Sequence, residues 1–474
     1  MLLSIFSFET VCFLLMLLFV AFTWYRKNNS AFKSICFSIW TCLIFVFNAP
    51  NFLSIDNAAS LNSNPLLTFV FSLHDIIGSS YTLISNALLA AVGCYLGESN
   101  RDRTYSNHEV KKQFDSFITD AANLKIIGRD LDFLLSNDYS AQYAKILKLG
   151  NNAQILCEQT NDARLVELYH TLIDRGIDVR SYASRDGITN LKGQIKITER
   201  NESSGIFVNK ISGAPSTASK PFQITKMESG YLLGGVNQQF DRTFENSLHP
   251  TISCIALDLG GVYLDGDIDS FYKFLSETYK IHIKKSRKDR LNIDNDLMLG
   301  RITIRDFIMQ NAPKAETSLS QNEWDKILTQ WQQTWIPNTM IKRVIEDLHK
   351  EYGYTIIPFS NLDRENGDKY IRDHYLPECC EHRFFSYEMR KSKPSNATFR
   401  AFFDFVKSLN CGINNTYQLL LIDDEAENIN AAKGLGWYAI NFYNDSSSDS
   451  VETFITKLKQ MHILPADYSP KSNR

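Results

Sequence analysis

Four short stretches carry residue types able to handle a charged group. "CIALDLGGVYLDGD" (254–267) places Asp258 at the end of an apolar run and just before Gly260-Gly261. "YGYTIIPFSNLD" (352–363) ends a second apolar run on Ser360-Asn361. "YEMRKSKPSNATFRAFFDFV" (387–406) sets Lys393-Pro394 ahead of a helical pattern, and "YQLLLIDDEAENINAAKGLGWYAINF" (417–442) ends a third run on Asp423-Asp424. An acid at the end of a buried strand is, taken alone, either a nucleophile or a structural carboxylate. Ser360 and Asp423-Asp424, each taken alone, fit helix caps equally well. The order Asp, Ser, Lys, Asp-Asp, each at the end of a run, is more specific than any member of it.

These runs need a scaffold that brings their ends together. Apolar strands alternating with helical stretches predict an α/β layer with a parallel sheet, and in such sheets chemistry collects at the carboxyl ends of the strands. Residues 266–345 are too many for a loop. They contain the helical patterns "DSFYKFLSETYK", "LNIDNDLML", "RDFIMQN" and "NEWDKILTQWQQTW". Trp331 and Trp335, four apart, are expected on one helical face as packing residues, with substrate contact the alternative.

On these four motifs, residues 252–465 resemble the haloacid dehalogenase-like (HAD) hydrolases. The nearest branches are the bacterial sugar-phosphate phosphatases and the phosphatase domain of soluble epoxide hydrolases. "GRITIRDF" (300–307) is similar to a stretch of their helical cap. The resemblance implies a Rossmann-like domain with a cap at about 266–345. It implies Asp258 as a nucleophile that takes a phosphoryl group. Mg2+ would be held by Asp258, the Gly260 carbonyl and Asp424, with Asp423 ligating through water or orienting its neighbour. Ser360, Asn361 and Lys393 would donate to the phosphoryl oxygens, and Lys393 would keep Asp258 ionised. Asn428 would tie down the last loop.

One position departs from the pattern. The residue two beyond the nucleophile is usually an aspartate that protonates the leaving group, and here it is Gly260. General acid–base help is typically worth ~10²–10⁴ in rate. The sugar-phosphate branch likewise has Gly there. Asp265 and Asp267 also match that branch; one is a candidate proton donor or cap contact, and Asp267 is equally a helix cap. The implied function is phosphomonoester hydrolysis on a small phosphorylated metabolite, a sugar phosphate or nucleotide. The rival is a signalling or sensor protein on the same fold that binds a phosphorylated ligand without turnover. A dehalogenase is a third option, but it needs no metal and would leave Asp423-Asp424 unexplained.

The rest of the 474 residues divides in two. Residues 1–98 hold three apolar stretches, 3–25, 34–53 and 76–97, each near the ~20 residues needed to span a membrane. A cleaved signal peptide is the alternative for the first, but no basic residue precedes Glu9. Arg26, Lys27 and Lys33 follow the first span, and Arg101, Arg103, Lys111 and Lys112 follow the third, whereas 51–65 has no Lys or Arg. The positive-inside rule then expects a multi-pass membrane protein with its soluble domains in the cytosol. Nine scattered cysteines without a CxxC pair fit a reducing compartment, with neither a disulfide framework nor a zinc site.

Residues 101–250 alternate helix and strand signals, with "KGQIKITE", "GIFVNKI" and "FQITKME" expected as antiparallel strands and 212–221 as a Ser/Pro-rich loop. "NLKIIGRDLDFLL", "AQILCEQTNDARLVELYHTLIDRGIDVR" and "GYLLGGVNQQFDRTFENS" resemble half of a phospholipase D-like domain, yet its HxKxxxxD motif is missing there. The literal match His282, Lys284 and Asp289 stands alone in a basic stretch of the other domain. The middle domain is therefore expected to be non-catalytic: a phosphate binder, a spacer or a site of homo-oligomerisation. His108, His170 and His249 show no sequence partners. With Lys+Arg 50 against Asp+Glu 53, the chain gives no case for nucleic-acid binding. Residues 466–474 are expected to be a flexible tail.

Overall fold

The computed structural model describes residues 104–470, apart from 129–130, 136–139, 183–191, 211–218, 229, 284–294, 313–318 and 446. The three expected membrane spans, most of the Ser/Pro-rich loop, and Lys284 and Asp289 lie outside the described residues. Among the described residues no helix is long and apolar enough to cross a membrane. The chain forms two compact units. The first contains residues up to 159, 175–178 and 182–242; the second contains 160–174, 179–181 and 243–474.

The elements of the first half are α1 (Asn107–Phe117), β1 (Ala121–Ile127), α2 (Ser140–Leu149), β2 (Ala153–Glu158), α3 (Ala163–Asp174), β3 (Asp178–Tyr182), β4 (Lys192–Thr198), β5 (Ser203–Lys210), β6 (Phe222–Met227) and α4 (Tyr231–Glu245). Ser106 starts α1 with a capping box closed by Glu109. The six strands form one sheet in the order β3-β2-β1-β4-β5-β6. β1 and β2 are parallel, and β4, β5 and β6 continue antiparallel from β1. The sequence pattern carries this difference. β2 buries Ala153, Ile155, Leu156 and Cys157, nearly every position, whereas β6 buries only Ile224.

The second unit is built on a five-stranded sheet: β7 (Cys254–Leu257), β10 (Thr355–Ser360), β11 (Phe384–Phe385), β12 (Leu419–Asp423) and β13 (Tyr438–Asn441). Its order is β11-β10-β7-β12-β13, and every pairing is parallel. Two apolar clusters flank it. Ile255 and Leu257 of β7 join one with Leu420 and Ile422; Cys254 and Ala256 join the other with Leu419 and Leu421. The strand period of two thus loads both faces, as a sheet covered on both sides requires. α8 (Thr339–Lys350) supplies Ile341, Val344, Ile345 and Leu348 to the first cluster; α10 (Asn396–Ser408) supplies Phe399, Phe402 and Val406 to the second. Truncating any one of these to Ala would cost ~2–5 kcal/mol.

Between β7 and β10 lies the cap. β8 (Leu264–Gly266) and β9 (Trp335–Pro337) pair antiparallel as its two-stranded stem. α5 (Ile268–Tyr279), α6 (Ile304–Asn311) and α7 (Gln321–Gln333) surround a core of Phe271, Leu275, Phe307, Ile308, Ile327 and Trp331. Two expectations change. The cap ends at Pro337 and not near 345, because α8 buries its apolar face in the sheet's cluster. Trp331 and Trp335 do not share a helix: α7 stops at Gln333, and Trp335 lies in β9, packed against the sheet's cluster.

The tail also starts later than expected. The Tyr468 hydroxyl donates to Asp347 at 2.7 Å, and its ring packs on the core, so chain freedom does not begin at 466. His170 stacks on Tyr417 with ring centroids 3.9 Å apart. His249 is half-buried, edge-on to Tyr438 with Thr251 beside its Nδ1 at 3.2 Å, and loss of solvent contact drives its pKa down to about 3. Both are packing residues with partners that the sequence did not reveal. The remaining elements are α9 (Arg364–Arg372), α11 (Ala426–Gly434) and α12 (Ser448–Gln460).

Candidate active site

Three neighbouring parallel strands end together. Leu257 pairs with Pro358 of β10 and with Ile422 of β12. Asp258 and Asp423 follow one residue further along their strands and Ser360 two residues further along β10, so all three arrive at one edge of the sheet. The Asp258 N–H donates to the Ile422 carbonyl at 2.9 Å, which fixes where its side chain starts. The fourth group comes from the loop ahead of α10. Lys393 Nζ lies 3.1 Å from Asp258 Oδ1 and 2.5 Å from Asp423 Oδ2.

These charges are largely shielded from solvent. Side-chain exposure is 1% for Lys393, 10% for Asp258 and 0% for Asp423. Burial pushes Asp258 up to about 6; Lys393 opposes that shift, Asp423 adds to it, and a hydrogen bond from Ser360 lowers it again. Burial likewise disfavours the Lys393 ammonium, but Asp258 and Asp423 outweigh it and hold the group above its ordinary value. Lys393 is therefore a permanent cation at the bottom of the site.

The neighbours have defined tasks. Asp423 Oδ1 accepts from Asn428 Nδ2 at 2.8 Å and from the Glu425 N–H at 2.9 Å, so with Lys393 on Oδ2 its oxygens are already engaged. Asn361 differs from its expected role. Its Nδ2 donates to the Lys393 carbonyl at 2.9 Å and its Oδ1 accepts from the Lys393 N–H at 2.8 Å. It clamps the lysine's main chain, which makes it a positioning residue. Asp267 caps α5, its Oδ1 accepting from the Asp269 N–H at 2.8 Å. Asp265 sits in the cap stem, paired with Ile336.

Asp258, Asp423 and Asp424 each bring a carboxylate oxygen to within 4.8 Å of the others. Three carboxylates against one lysine leave a formal charge of about −2, which a hard divalent cation with oxygen ligands would offset. Burial, then Asp258, Asp423 and Glu425, push Asp424 up to about 7. Protons and a cation would thus compete for the same oxygens. The backbone makes room for this approach at Gly261. Its φ is +72°, and a Cβ there would come within 2.4 Å of Asp424 Oδ2. These three carboxylates are the donors that would hold such a cation. Position 260 is different again: a Cβ added there meets nothing within 4 Å.

A second acidic pair, Asp363 buried and Glu365 half-buried, lies beneath the cap. Asp363 caps α9 and accepts from Trp331 Nε1 of the cap at 3.2 Å. Glu365 accepts from the Ile304 N–H, at the start of α6, at 3.1 Å. Burial raises the pKa of both, and the nearby Asp363 raises that of Glu365 further. With Lys369 donating to the Gln332 carbonyl at 2.6 Å, they join α9 to the cap. Their only sequence signal is an acid three residues before Asn366, which reads as an ordinary helix start. His282, the described member of the HxKxxxxD match, is exposed between the buried Ile281 and Ile283, which join the core of the cap.

No protein-family model matches the chain, and no curated protein matches it. Solved structures do. The chain is similar to a HAD-family enzyme of Bacteroides thetaiotaomicron in complex with magnesium and inorganic phosphate, at 21% identity over 40% of this chain and 94% of that one, with a TM-score of 0.32. It is similar to a predicted HAD-like family hydrolase of Porphyromonas gingivalis at 19% identity, over 44% and 98%, with a TM-score of 0.33. A predicted phosphoglycolate phosphatase of Haemophilus somnus is 17% identical over 42% and 91%, with a TM-score of 0.28.

Proposed function

We propose that this chain is a membrane-anchored, Mg2+-dependent phosphatase that transfers the phosphoryl group of a small phosphorylated metabolite to Asp258 and then to water. The observation that carries this reading is the Asp258 carboxylate itself. It is buried at the convergence of three strands, held by Lys393 and Ser360, and joined by two further carboxylates in an arrangement that fits a divalent cation. Burying charge is costly, and a cluster of this kind adds nothing to a fold that apolar residues would not add more cheaply.

Lys393 keeps Asp258 ionised and aimed, and Asn361 keeps Lys393 in place. An Asp258 oxygen attacks phosphorus, the bond to the leaving oxygen breaks, and an aspartyl-phosphate forms. Ser360 and Lys393 stand beside Asp258 as donors for phosphoryl oxygens. The cation, when bound, would neutralise charge between the carboxylate and the phosphate. Water then displaces Asp258 from phosphorus and the carboxylate is restored. The cap would close over the substrate and select it. The first unit would serve as a non-catalytic, phospholipase D-like module, with spans in 1–98 holding the soluble part at the cytosolic face.

The decisive experiment follows phosphate release by the full chain from a panel of phosphomonoesters, with and without Mg2+, beside Asp258→Asn. Metal-dependent release that falls by on the order of 10³-fold or more in the variant is the expected result. The open space at position 260 favours one rival, a site that binds a phosphorylated ligand without turnover. That rival predicts saturable phosphate or Mg2+ binding with no release from either protein.

A further inference from the structure

Asp363 and Glu365 lie close together, and their oxygens are used differently. Asp363 Oδ1 accepts from Trp331 Nε1 at 3.2 Å and from the Asn366 N–H at 3.0 Å, and Oδ2 accepts from Asn366 Nδ2 at 2.9 Å. Both oxygens face donors, which is the pattern of an ionised carboxylate. Glu365 Oε1 accepts from the Ile304 N–H at 3.1 Å, whereas Oε2 is shut off from solvent and meets no donor among the described residues. The Asp363 carboxylate is within hydrogen-bonding reach of the Glu365 carboxyl. The charged groups of the three helices that meet here are turned to other partners. Lys369 Nζ donates to the Gln332 carbonyl at 2.6 Å, Arg364 lies over the Tyr387 ring at 5.4 Å, and Arg305 lies over the Trp324 ring at 4.9 Å. Asp306 closes the capping box of α6, and Asp368 accepts from the Tyr387 hydroxyl at 3.1 Å. Tyr370 keeps its phenol proton, held by burial and by the charge of Asp363.

We propose that Glu365 carries a proton on Oε2 and donates it to Asp363, so that the two acids share one negative charge and clasp α9 to the cap. Two ionised carboxylates at this range repel, and such a pair keeps one proton between them. The proton does here what Lys393 does at the strand ends. It removes the repulsion and gives the orphan oxygen a partner. Each acid is then free to hold a different cap helix, Glu365 the start of α6 and Asp363 the end of α7. Burial and the charge of Asp363 hold the Glu365 proton above the ordinary carboxylate range. α9 begins at Arg364, shortly after Ser360 at the end of β10. The clasp thus ties the segment that carries Ser360 to the cap, whatever ligand the site takes. Opening it returns Glu365 to water, where the proton is held less tightly. The clasp is therefore firm at low pH. It loosens by up to ~tenfold per pH unit as pH climbs from the ordinary glutamate value to the raised one, and then levels off.

The test is hydrogen exchange of the full chain, followed by mass spectrometry in the peptides that contain Ile304 and Trp331. It runs from pH 5 to 9, corrected for the intrinsic exchange rate, with Glu365→Gln alongside. The variant's amide donates to Asp363 and accepts from Ile304 as the protonated acid does, and it does so at every pH. Groups that titrate elsewhere act on both proteins, so the ratio of wild-type to variant protection reports Glu365. That ratio should be near one at pH 5 and fall by on the order of tenfold or more by pH 9. In an Asp363→Asn background, which removes the neighbouring charge, the same Glu365→Gln comparison should give a smaller fall. A ratio that stays constant with pH, at whatever level, overturns the proposal, because Glu365 then holds no proton that it can lose. A fall of undiminished size in the Asp363→Asn background also overturns it, since burial alone would then protonate Glu365 and the two acids would not share a charge.

Discussion

The two large sheets of this molecule treat charge in opposite ways. In the first, Lys125 reaches Asn237 at 2.8 Å and Asp241 at 2.5 Å, but Asp241 is 43% exposed; Lys196 likewise meets Asp120, which is 61% exposed. Each pair keeps one partner in water. The parallel strands β1 and β2 run on into main-chain pairing: the Gly128 N–H bonds the Leu156 carbonyl and the Gln159 N–H bonds Tyr182. In the second sheet, Lys393, Asp258 and Asp423 are all withdrawn from water at the strand ends. Exposed pairs are worth ~0–1 kcal/mol and cost little. Buried ones carry a desolvation cost that stability alone does not repay. The contrast locates the chemistry before any mechanism is invoked.

The comparison breaks first, and by the largest effect, at Lys393. Lys393→Met leaves Asp258 and Asp423 buried without their cation. Unfolding by denaturant should show a loss of ~3–5 kcal/mol, the usual consequence of removing one partner of a buried pair. Phosphate release should vanish with it. A variant as stable as the wild type would mean that the carboxylates can shed their charge freely, and the site would then differ little from the first sheet's surface pairs.

The adjacent glycines sharpen the picture at smaller scale. Gly261→Ala imposes a left-handed φ on a residue with a Cβ, at ~1–2 kcal/mol, and drives that Cβ into Asp424. Gly260→Ala meets open space. Thermal shift on adding Mg2+ separates them: the shift should shrink in Gly261→Ala and persist in Gly260→Ala. Equal shifts in both would show that Asp424 does not take part in holding the cation.

Much of this arrangement was legible in the sequence. Apolar runs that bury both faces are visible as uninterrupted hydrophobic stretches, so β7, β10 and β12 and the residues at their ends could be read directly. The alternating patterns of β4, β5 and β6 foretold their antiparallel pairing for the same reason. What stayed hidden depends on side chains meeting across long sequence separations. Nothing local distinguishes Asn361 as a clamp on Lys393 from Asn361 as a phosphate donor. Nothing marks Asp363 and Glu365 as the partners of Trp331 and Ile304, because an acid at a helix start looks the same whether or not a cap covers it. Trp335 was misplaced because the fourfold spacing from Trp331 persists in the sequence even though α7 ends between them. The end of the cap was set too late because α8 is as amphipathic as the cap helices, and only its packing against β7 and β10 assigns it to the sheet.

The smallest effect belongs to the first sheet. Lys125→Met removes a cation whose partners, Asn237 and Asp241, remain hydrated enough to do without it, and the stem of the new side chain still packs beside Phe240, over which the ammonium lies at 5.5 Å. The expected loss is under ~1 kcal/mol by denaturant unfolding. Phosphate release and the Mg2+ thermal shift should match the wild type. A loss of several kcal/mol would place Lys125 among the buried charges and erase the distinction between the sheets. A fall in phosphate release at unchanged stability would instead give the first unit a part in turnover, which its half-exposed pairs argue against.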